Sequence, residues 1–314
     1  MNEIIIGSRG SALALTQTNW VADQIRRHNP SIETRVEVIK TSGDKILDTP
    51  LSKIGDKGLF VKELEIALLE SKIDIAVHSM KDLPTDTPDG LCIAAVPERA
   101  EQCDVLVSAG PGLDDLPTGA RIGSGSLRRR AQIANHRPDL QMLELRGNLD
   151  TRLRKLDSGE YDAVILACAG LRRLGLGDRV SQKLPFEICV PAVGQGALAI
   201  EARADDERVR RILAPLEDGN ARAEVAAERA LMAALEGGCQ TPIGGAAAIE
   251  DGRLRLRAMV ASIDGKTIIR KDATSSPDAP EELGRSVAYA LLRSGAGEIL
   301  ENARKMATGQ VGAA

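Results

Sequence analysis

Ile6-Gly7-Ser8-Arg9-Gly10-Ser11-Ala12-Leu13 has a shorter echo at Ile122-Gly123-Ser124-Gly125-Ser126-Leu127. Each stretch ends an apolar strand-like run in a Gly/Ser turn and opens a helix-like one. A second echo joins Ile73-Asp74-Ile75-Ala76-Val77 to Tyr161-Asp162-Ala163-Val164-Ile165. The repeat predicts two related α/β half-units, with ligand in a cleft at the carboxyl ends of their strands. Each Gly/Ser turn sets free backbone N–H groups and hydroxyls at a helix start, where an anion can be held. Neither turn has the glycine spacing of a P-loop or a dinucleotide fingerprint, so a nucleotide is not implied.

Working outward, β-rich runs alternate with helical ones, as in parallel or mixed sheets covered by helices. Strands are expected over Glu3–Ser8, Arg35–Lys40, Ile73–Ser79 and Cys92–Pro97, with helices over Ala12–Arg27 and Phe60–Ser71. A second series has strands over Asp104–Ala109, Arg121–Gly123, Gln141–Arg146 and Asp162–Ala167, and helices over Leu127–Asn135 and Leu149–Asp157. Residues 41–59 break every period and read as a mobile cover over a binding site. From about Glu217 the pattern changes. A helix over Ala221–Glu236 precedes strands over Ala246–Ile249, Arg253–Ser262 and Thr267–Ala273, with hairpin signals at Asp251-Gly252 and Asp264-Gly265. A final helix from Pro280 to Lys305 completes a small α+β domain, and the tail after Ala307 reads as disordered.

The chain has 314 residues, a formal net charge of -4 and 2% aromatic residues. So few rings weaken any reading based on base stacking, and nucleic acid is not expected as a partner. Five cysteines without a C-x-x-C pair, beside three scattered histidines, argue against a disulfide framework or a structural zinc site, and no metal is expected. The sequence opens on a strand without a leader and has no apolar run long enough to cross a bilayer, so a soluble cytoplasmic protein is expected. Positive charge is concentrated: Arg121, Arg128, Arg129, Arg130, Arg137, Arg146, Arg152 and Arg154 stand against Asp139, Glu144 and Asp150. Planar guanidinium forks suit carboxylates or phosphates, although an arginine-rich helix face can equally be a solvated surface.

Cys239 lies in Glu236-Gly237-Gly238-Cys239-Gln240-Thr241-Pro242-Ile243-Gly244-Gly245. Flanking glycine pairs give its thiol little cover, which suits an attachment point or nucleophile as well as an inert loop thiol. Cys92, Cys168 and Cys189 lie in apolar strand-like runs, and Cys103 precedes one. His78-Ser79-Met80-Lys81-Asp82-Leu83-Pro84 follows an apolar strand at the position where α/β domains carry chemistry. A carboxylate there can stabilise a developing cation or pass a proton. Taken alone, Lys81-Asp82 reads as a helix cap with a surface charge, and His78 as a structural hydrogen-bonding residue.

Seven blocks, in order, resemble the porphobilinogen deaminase (hydroxymethylbilane synthase) family. They are GSRGSALAL (7–15), GDKGLFVKELE (55–65), DIAVHSMKDLP (74–84), GSGSLRRR (123–130), LRGNLDTRL (145–153), PAVGQGAL (191–198) and EGGCQTPIG (236–244). The resemblance implies two similar α/β domains of the periplasmic-binding-protein type 2 class around a cleft, plus a small C-terminal α+β domain with an antiparallel three-stranded sheet. Their bounds are 1–97 with 197–215, 98–196, and 217–314. It implies a transferase of tetrapyrrole and haem biosynthesis that polymerises porphobilinogen on a dipyrromethane cofactor held through a thioether at Cys239, and that works as a monomer. Asp82 matches the catalytic carboxylate. Lys81, Ser79, Ser124, Ser126, Arg128, Arg129 and Arg146 match cofactor-binding positions, as does Asp82 itself. Arg9, Ser11, Arg146, Arg152, Arg173, Gln195, Phe60 and Lys53 match substrate-binding ones. Arg130 and Arg154 have no such match and read as solvated or structural charge. Gly125 and Ser124 depart mildly from relatives that carry a hydroxyl residue or threonine there. A carboxylate-binding module of the type 2 class is the competing reading.

Overall fold

A computed structural model of the chain describes residues 2–41, 58, 61–236 and 241–307. They fall into two compact units. One takes the described residues up to Ala100 together with Gly196–Arg222, and the other takes Glu101–Gln195 with the described residues from Ala223. The cover expected over 41–59 lies outside the described residues except for Thr41 and Gly58, and so does the tail after Ala307.

The first unit runs β1 (Glu3–Ser8), α1 (Ala12–His28), β2 (Glu33–Val38), α2 (Lys62–Leu69), β3 (Ile75–Ser79) and β4 (Leu91–Ala95). The second begins with β5 (Asp104–Ser108), β6 (Arg121–Gly123), α3 (Leu127–His136), β7 (Gln141–Leu143), α4 (Leu149–Asp157), β8 (Ala163–Ala167), α5 (Cys168–Arg173) and β9 (Gln182–Lys183). The chain then returns to the first unit as β10 (Leu198–Arg203) and α6 (Glu207–Leu213).

The two five-stranded sheets have the same plan. Their orders are β2-β1-β3-β10-β4 and β7-β6-β8-β5-β9. In each, the first three strands are parallel, and the fourth runs antiparallel to both of its neighbours. The short echoes in the sequence occupy matching places: Gly7 pairs with Ala76 in one sheet and Gly123 with Val164 in the other. Both glycines permit a close approach. A Cβ on Gly7 would stand 2.3 Å from Ile73 Cδ1, and one on Gly123 would stand 2.8 Å from the Tyr161 ring. The parallel central strands β3 and β8 are almost wholly buried, as expected for strands covered on both faces.

α7 (Gly219–Ala234) begins in the first unit, and from Ala223 the second unit continues through the rest of it, β11 (Ile243–Glu250), β12 (Arg253–Ala261), β13 (Ile268–Ser275), α8 (Pro280–Leu291) and α9 (Gly297–Ala307). β11, β12 and β13 form an antiparallel meander in that order. Asp251 (φ 49°) and Gly252 (φ 74°) make the tight turn their sequence predicts. One face of this sheet, with Ala247, Leu254, Leu256, Ala258 and Val260, packs with Leu231, Val287 and Leu300 of the helices. On the other face, Ala246, Met259 and Ala261 meet Ala131 and Val190.

Several expected bounds move. β2 starts and ends two residues earlier than expected. β7 stops at Leu143, and the chain turns through Gly147 (φ 108°) before Asn148 caps α4. Cys168 opens a helix, and Cys189 sits fully buried outside any strand. The single helix expected over Pro280–Lys305 is broken, because Gly295 at φ 96° interrupts the helical backbone between α8 and α9.

Candidate functional site

In the first unit β1 and β3 are parallel neighbours, so their carboxyl ends lie on one edge of the sheet. Ser11 follows β1 as the N-cap of α1, its hydroxyl accepting from the Ala14 N–H at 3.3 Å. Ser79 ends β3, and Lys81 and Asp82 follow in a single 3₁₀ turn. Arg9, Ser11, Gln17, His78, Ser79 and Asp82 line one pocket at this edge. Asp82 is exposed, whereas Lys81, Ser79 and Arg9 are half-buried. The Gln17 side-chain amide donates to Ser79 Oγ at 3.1 Å and so holds that hydroxyl in place.

Behind the edge, His78 Nε2 lies 3.2 Å from Glu201 Oε2, and both side chains are nearly inaccessible. That partner suits the structural reading of His78. Nearby, burial raises the pKa of Glu65, and Glu201 adds to the rise while His78 opposes it.

In the second unit β6, β7 and β8 likewise end on one edge, and a helix starts after each. Ser126 caps α3 by accepting from the Arg129 N–H at 3.5 Å, and Asn148 caps α4 by accepting from the Thr151 N–H at 2.9 Å. Ser124 is buried and accepts from the Ser126 N–H at 3.3 Å. Helix starts with hydroxyl and amide caps form a polar, anion-favouring rim.

Arg128 and Arg129, in the first turn of α3, are buried and both grip Asp104, which is fully buried at the start of β5. Arg128 Nη1 donates to Asp104 Oδ2 at 2.7 Å and to the Val190 carbonyl at 2.6 Å. Arg129 reaches Asp104 Oδ1 through Nε at 2.9 Å and Nη2 at 2.7 Å, and the Ile165 carbonyl through Nη1 at 3.1 Å. Gln195 donates to the same Oδ1 at 2.8 Å. Burial alone would push the Asp104 carboxyl up, but the two guanidiniums overcome it and hold the group well below the usual carboxylate range. Two guanidiniums and one carboxylate leave a surplus positive charge, placed at a helix N-terminus where the backbone dipole already favours an anion.

The other arginines differ. Arg146 Nε donates to Glu144 Oε1 at 2.8 Å, and Arg152 Nε to the Gly147 carbonyl at 2.9 Å. Arg173 ends α5, and burial pulls its pKa down to about 10, a shift that an arriving carboxylate would reverse. Arg130 lies 3.9 Å from Glu144, and the Arg154 guanidinium donates to Thr151 Oγ1.

Thus Arg9, Ser11, Ser79, Lys81 and Asp82 gather at one sheet edge. Ser124, Ser126, Arg128 and Arg129, with Gln195 behind them, gather at the other. Lys53, Phe60 and Cys239 lie outside the described residues. The chain on either side of Cys239 is anchored: Glu236 (φ 48°) follows α7, where Arg304 Nη2 donates to the Leu235 and Glu236 carbonyls, and Thr241 leads into β11. Sequence reasoning missed Asp104, Glu201 and Glu228. Each is a carboxylate inside an apolar pattern, and that misfit was the available signal. Glu228, on the buried stripe of α7, accepts from the Gly194 and Ala247 N–H groups at 2.6 and 2.7 Å.

The family profile "Porphobilinogen deaminase, dipyromethane cofactor binding domain" matches residues 4–211, and "Porphobilinogen deaminase, C-terminal domain" matches residues 222–293. The chain is 53% identical to the porphobilinogen deaminase of Desulforudis audaxviator over 96% of its own length and 98% of the relative's. It is 51% identical to the porphobilinogen deaminase of Carboxydothermus hydrogenoformans (96% and 98%) and to that of Geobacillus kaustophilus (97% and 99%). The solved methionine binding protein MetQ superposes with a TM-score of 0.44 at 13% identity, over 68% of this chain and 89% of that one.

Proposed function

Since this chain belongs to the porphobilinogen deaminase family, we propose that it is the transferase that joins four porphobilinogen molecules head to tail, releases ammonia at each addition and frees hydroxymethylbilane by hydrolysis. The dipyrromethane cofactor, attached through a thioether to Cys239, supplies the pyrrole carbon onto which substrate is added. The observation that carries this reading is the family match over both ranges, 4–211 and 222–293. The donor set fits such a ligand. Every pyrrole of this kind bears acetate and propionate groups, and the two sheet edges offer guanidiniums, hydroxyls and helix N-termini.

In this reading Asp82 is the catalytic residue. As ammonia leaves, porphobilinogen becomes a methylene-pyrrole cation. An exposed carboxylate at the mouth of β3 accepts the ring N–H and stabilises that charge. Lys81, Ser79, Ser124, Ser126, Arg128, Arg129 and Arg146 hold the cofactor, together with Asp82. Because Arg128 and Arg129 are both committed to Asp104, they act through their surplus charge and the α3 N-terminus. Arg9, Ser11, Arg146, Arg152, Arg173, Gln195, Phe60 and Lys53 serve the substrate, with Gln195 orienting Asp104 from behind.

The proposed division into three domains, 1–97 with 197–215, 98–196, and 217–314, is supported by three separate sheets, each with its own core. A cytoplasmic monomer is part of the same proposal, and sedimentation tests the oligomeric state. Among the described residues no helix is long and apolar enough to cross a membrane.

Intact-protein mass tests the central claim. Chain purified from cells that make porphobilinogen should carry a dipyrromethane adduct, and Cys239→Ser should carry none while remaining folded, since a hydroxyl is a far weaker nucleophile than a thiolate. An unmodified wild-type chain, or full loading of Cys239→Ser, overturns the proposal.

A further inference from the structure

We propose that Glu101, Cys103 and Cys168 form a binding site for a zinc ion, with solvent in the fourth position. In the antiparallel β5–β8 pair Asp104 stands opposite Ala167, which sets Cys103 opposite Cys168 one step further on. The Cys168 N–H donates to the Cys103 carbonyl at 3.1 Å. Both are free thiols, and one ligand atom from each of the three residues lies within 4.8 Å of the other two. Glu101 Oε2 is 3.7 Å from Cys103 Sγ and 3.5 Å from Cys168 Sγ. Tetrahedral zinc with Zn–S of about 2.3 Å and Zn–O of about 2.0 Å sets sulfur and oxygen ligands about 3.5 Å apart. The two Glu101–sulfur distances already match that separation.

Both thiols are free, with no disulfide between them. Two thiolates also select a soft or borderline cation such as zinc over magnesium or calcium. Solvent reaches the site through a recess of about 430 Å³, where Cys103 is lined up with Lys183, Phe186, Glu187, Glu250 and Arg257.

The charges around the site can accommodate the exchange. Glu101 Oε1 is held by Arg172 at 2.6 Å and Oε2 by Lys183 at 2.7 Å. Lys183 is half-exposed and can swing into solvent as the metal takes Oε2, while Arg172 keeps the carboxylate aimed. The Lys183 contact leads in lowering the Glu101 pKa, so this group is ionised at neutral pH. Burial pushes the Cys103 thiol up to about 12 and raises Cys168 as well. Zinc therefore replaces two protons: Zn²⁺ and two thiols give two Zn–S bonds and release two H⁺, leaving the local charge unchanged.

The test is zinc competition against a chromophoric chelator, using reduced, metal-stripped holoprotein between about pH 6 and 8. One zinc per chain is expected, and cadmium should give the charge-transfer absorbance of two thiolates. Cys103→Ser and Cys168→Ser should each weaken binding by on the order of a hundredfold or more, Glu101→Gln by about tenfold to a hundredfold, and Cys92→Ser not at all. Equal affinity in wild type and Cys103→Ser overturns the proposal. So does a reduced wild-type chain that takes up no metal. The cadmium spectrum of the wild type decides the question even where Cys168→Ser fails to fold.

Discussion

Among the described residues Asp104 is the carboxylate that pairs with both Arg128 and Arg129, and its amide replacement separates structure from electrostatics. Asp104→Asn strands two buried guanidiniums, and breaking a buried pair costs about 3–5 kcal/mol. Urea unfolding at neutral pH should show a loss of that size. The pH dependence has a definite sign. The folded pKa of Asp104 lies below the unfolded value of about 3.9, so its contribution is complete above that value and is lost as pH falls toward the folded pKa. The stability gap between wild type and Asp104→Asn should therefore stay constant from neutrality down to about pH 4 and narrow only below it. A gap that closes between pH 7 and 5 contradicts this assignment. For Asp82, exposed at its sheet edge, Asp82→Asn should leave the fold and the cofactor in place. Its kcat should fall by about 10²–10³-fold with little change in KM, because the lost charge acts on a cation formed only during reaction. A raised KM at unchanged kcat would move Asp82 from catalysis to binding.

At the scale of elements, α7 and α8 meet where Gly284 faces the backbone of α7. A Cβ there would stand 2.2 Å from the Ala227 carbonyl oxygen and 2.8 Å from the Leu231 nitrogen. Backbone in a packed helix cannot yield as a flexible side-chain end can, so Gly284→Ala should lower stability by about 1–3 kcal/mol or more. Thermal unfolding measures it, and a neutral substitution would mean that α8 is free to shift. The same reasoning explains which bounds were legible. α1 and α3 start where predicted because Ser11 and Ser126 cap them, and the β11–β12 turn forms at Asp251-Gly252 because that dipeptide accepts positive φ. The break between α8 and α9 was not read, because glycines in a helical pattern, here Gly284, Gly295 and Gly297, are compatible with either outcome.

For the whole molecule, the proposed reaction lengthens a polyanion, and each added unit brings two more carboxylates. Different guanidiniums should then matter at different additions. Arg146→Leu and Arg173→Leu should stall the chain at different masses after brief exposure to porphobilinogen, each lost charged contact costing about 1.5–3 kcal/mol. Arg128→Leu or Arg129→Leu should instead impair cofactor loading, since either change disturbs the buried cluster on Asp104. Identical mass distributions in all four variants would mean that the arginines act only as a general attractive field.

Much of this protein was determined by the sequence alone. The half-unit echoes, the Ser caps, the apolar central strands and the seven family blocks are local patterns, and local backbone preferences and side-chain periodicity are what such patterns encode. The gathering of Arg9, Ser11, Ser79 and Asp82 at one edge follows from parallel pairing of β1 with β3, which the alternation of strands and helices foretold. What only the tertiary structure decided depends on contacts between residues far apart in the chain. Arg128 and Arg129 looked like open anion binders, yet both turn onto Asp104, because a desolvated carboxylate and a desolvated guanidinium each need the other more than either needs water. Likewise Cys103 and Cys168 read as unrelated thiols until antiparallel pairing placed them side by side with Glu101, a juxtaposition set by strand register and invisible in the spacing of residues along the chain.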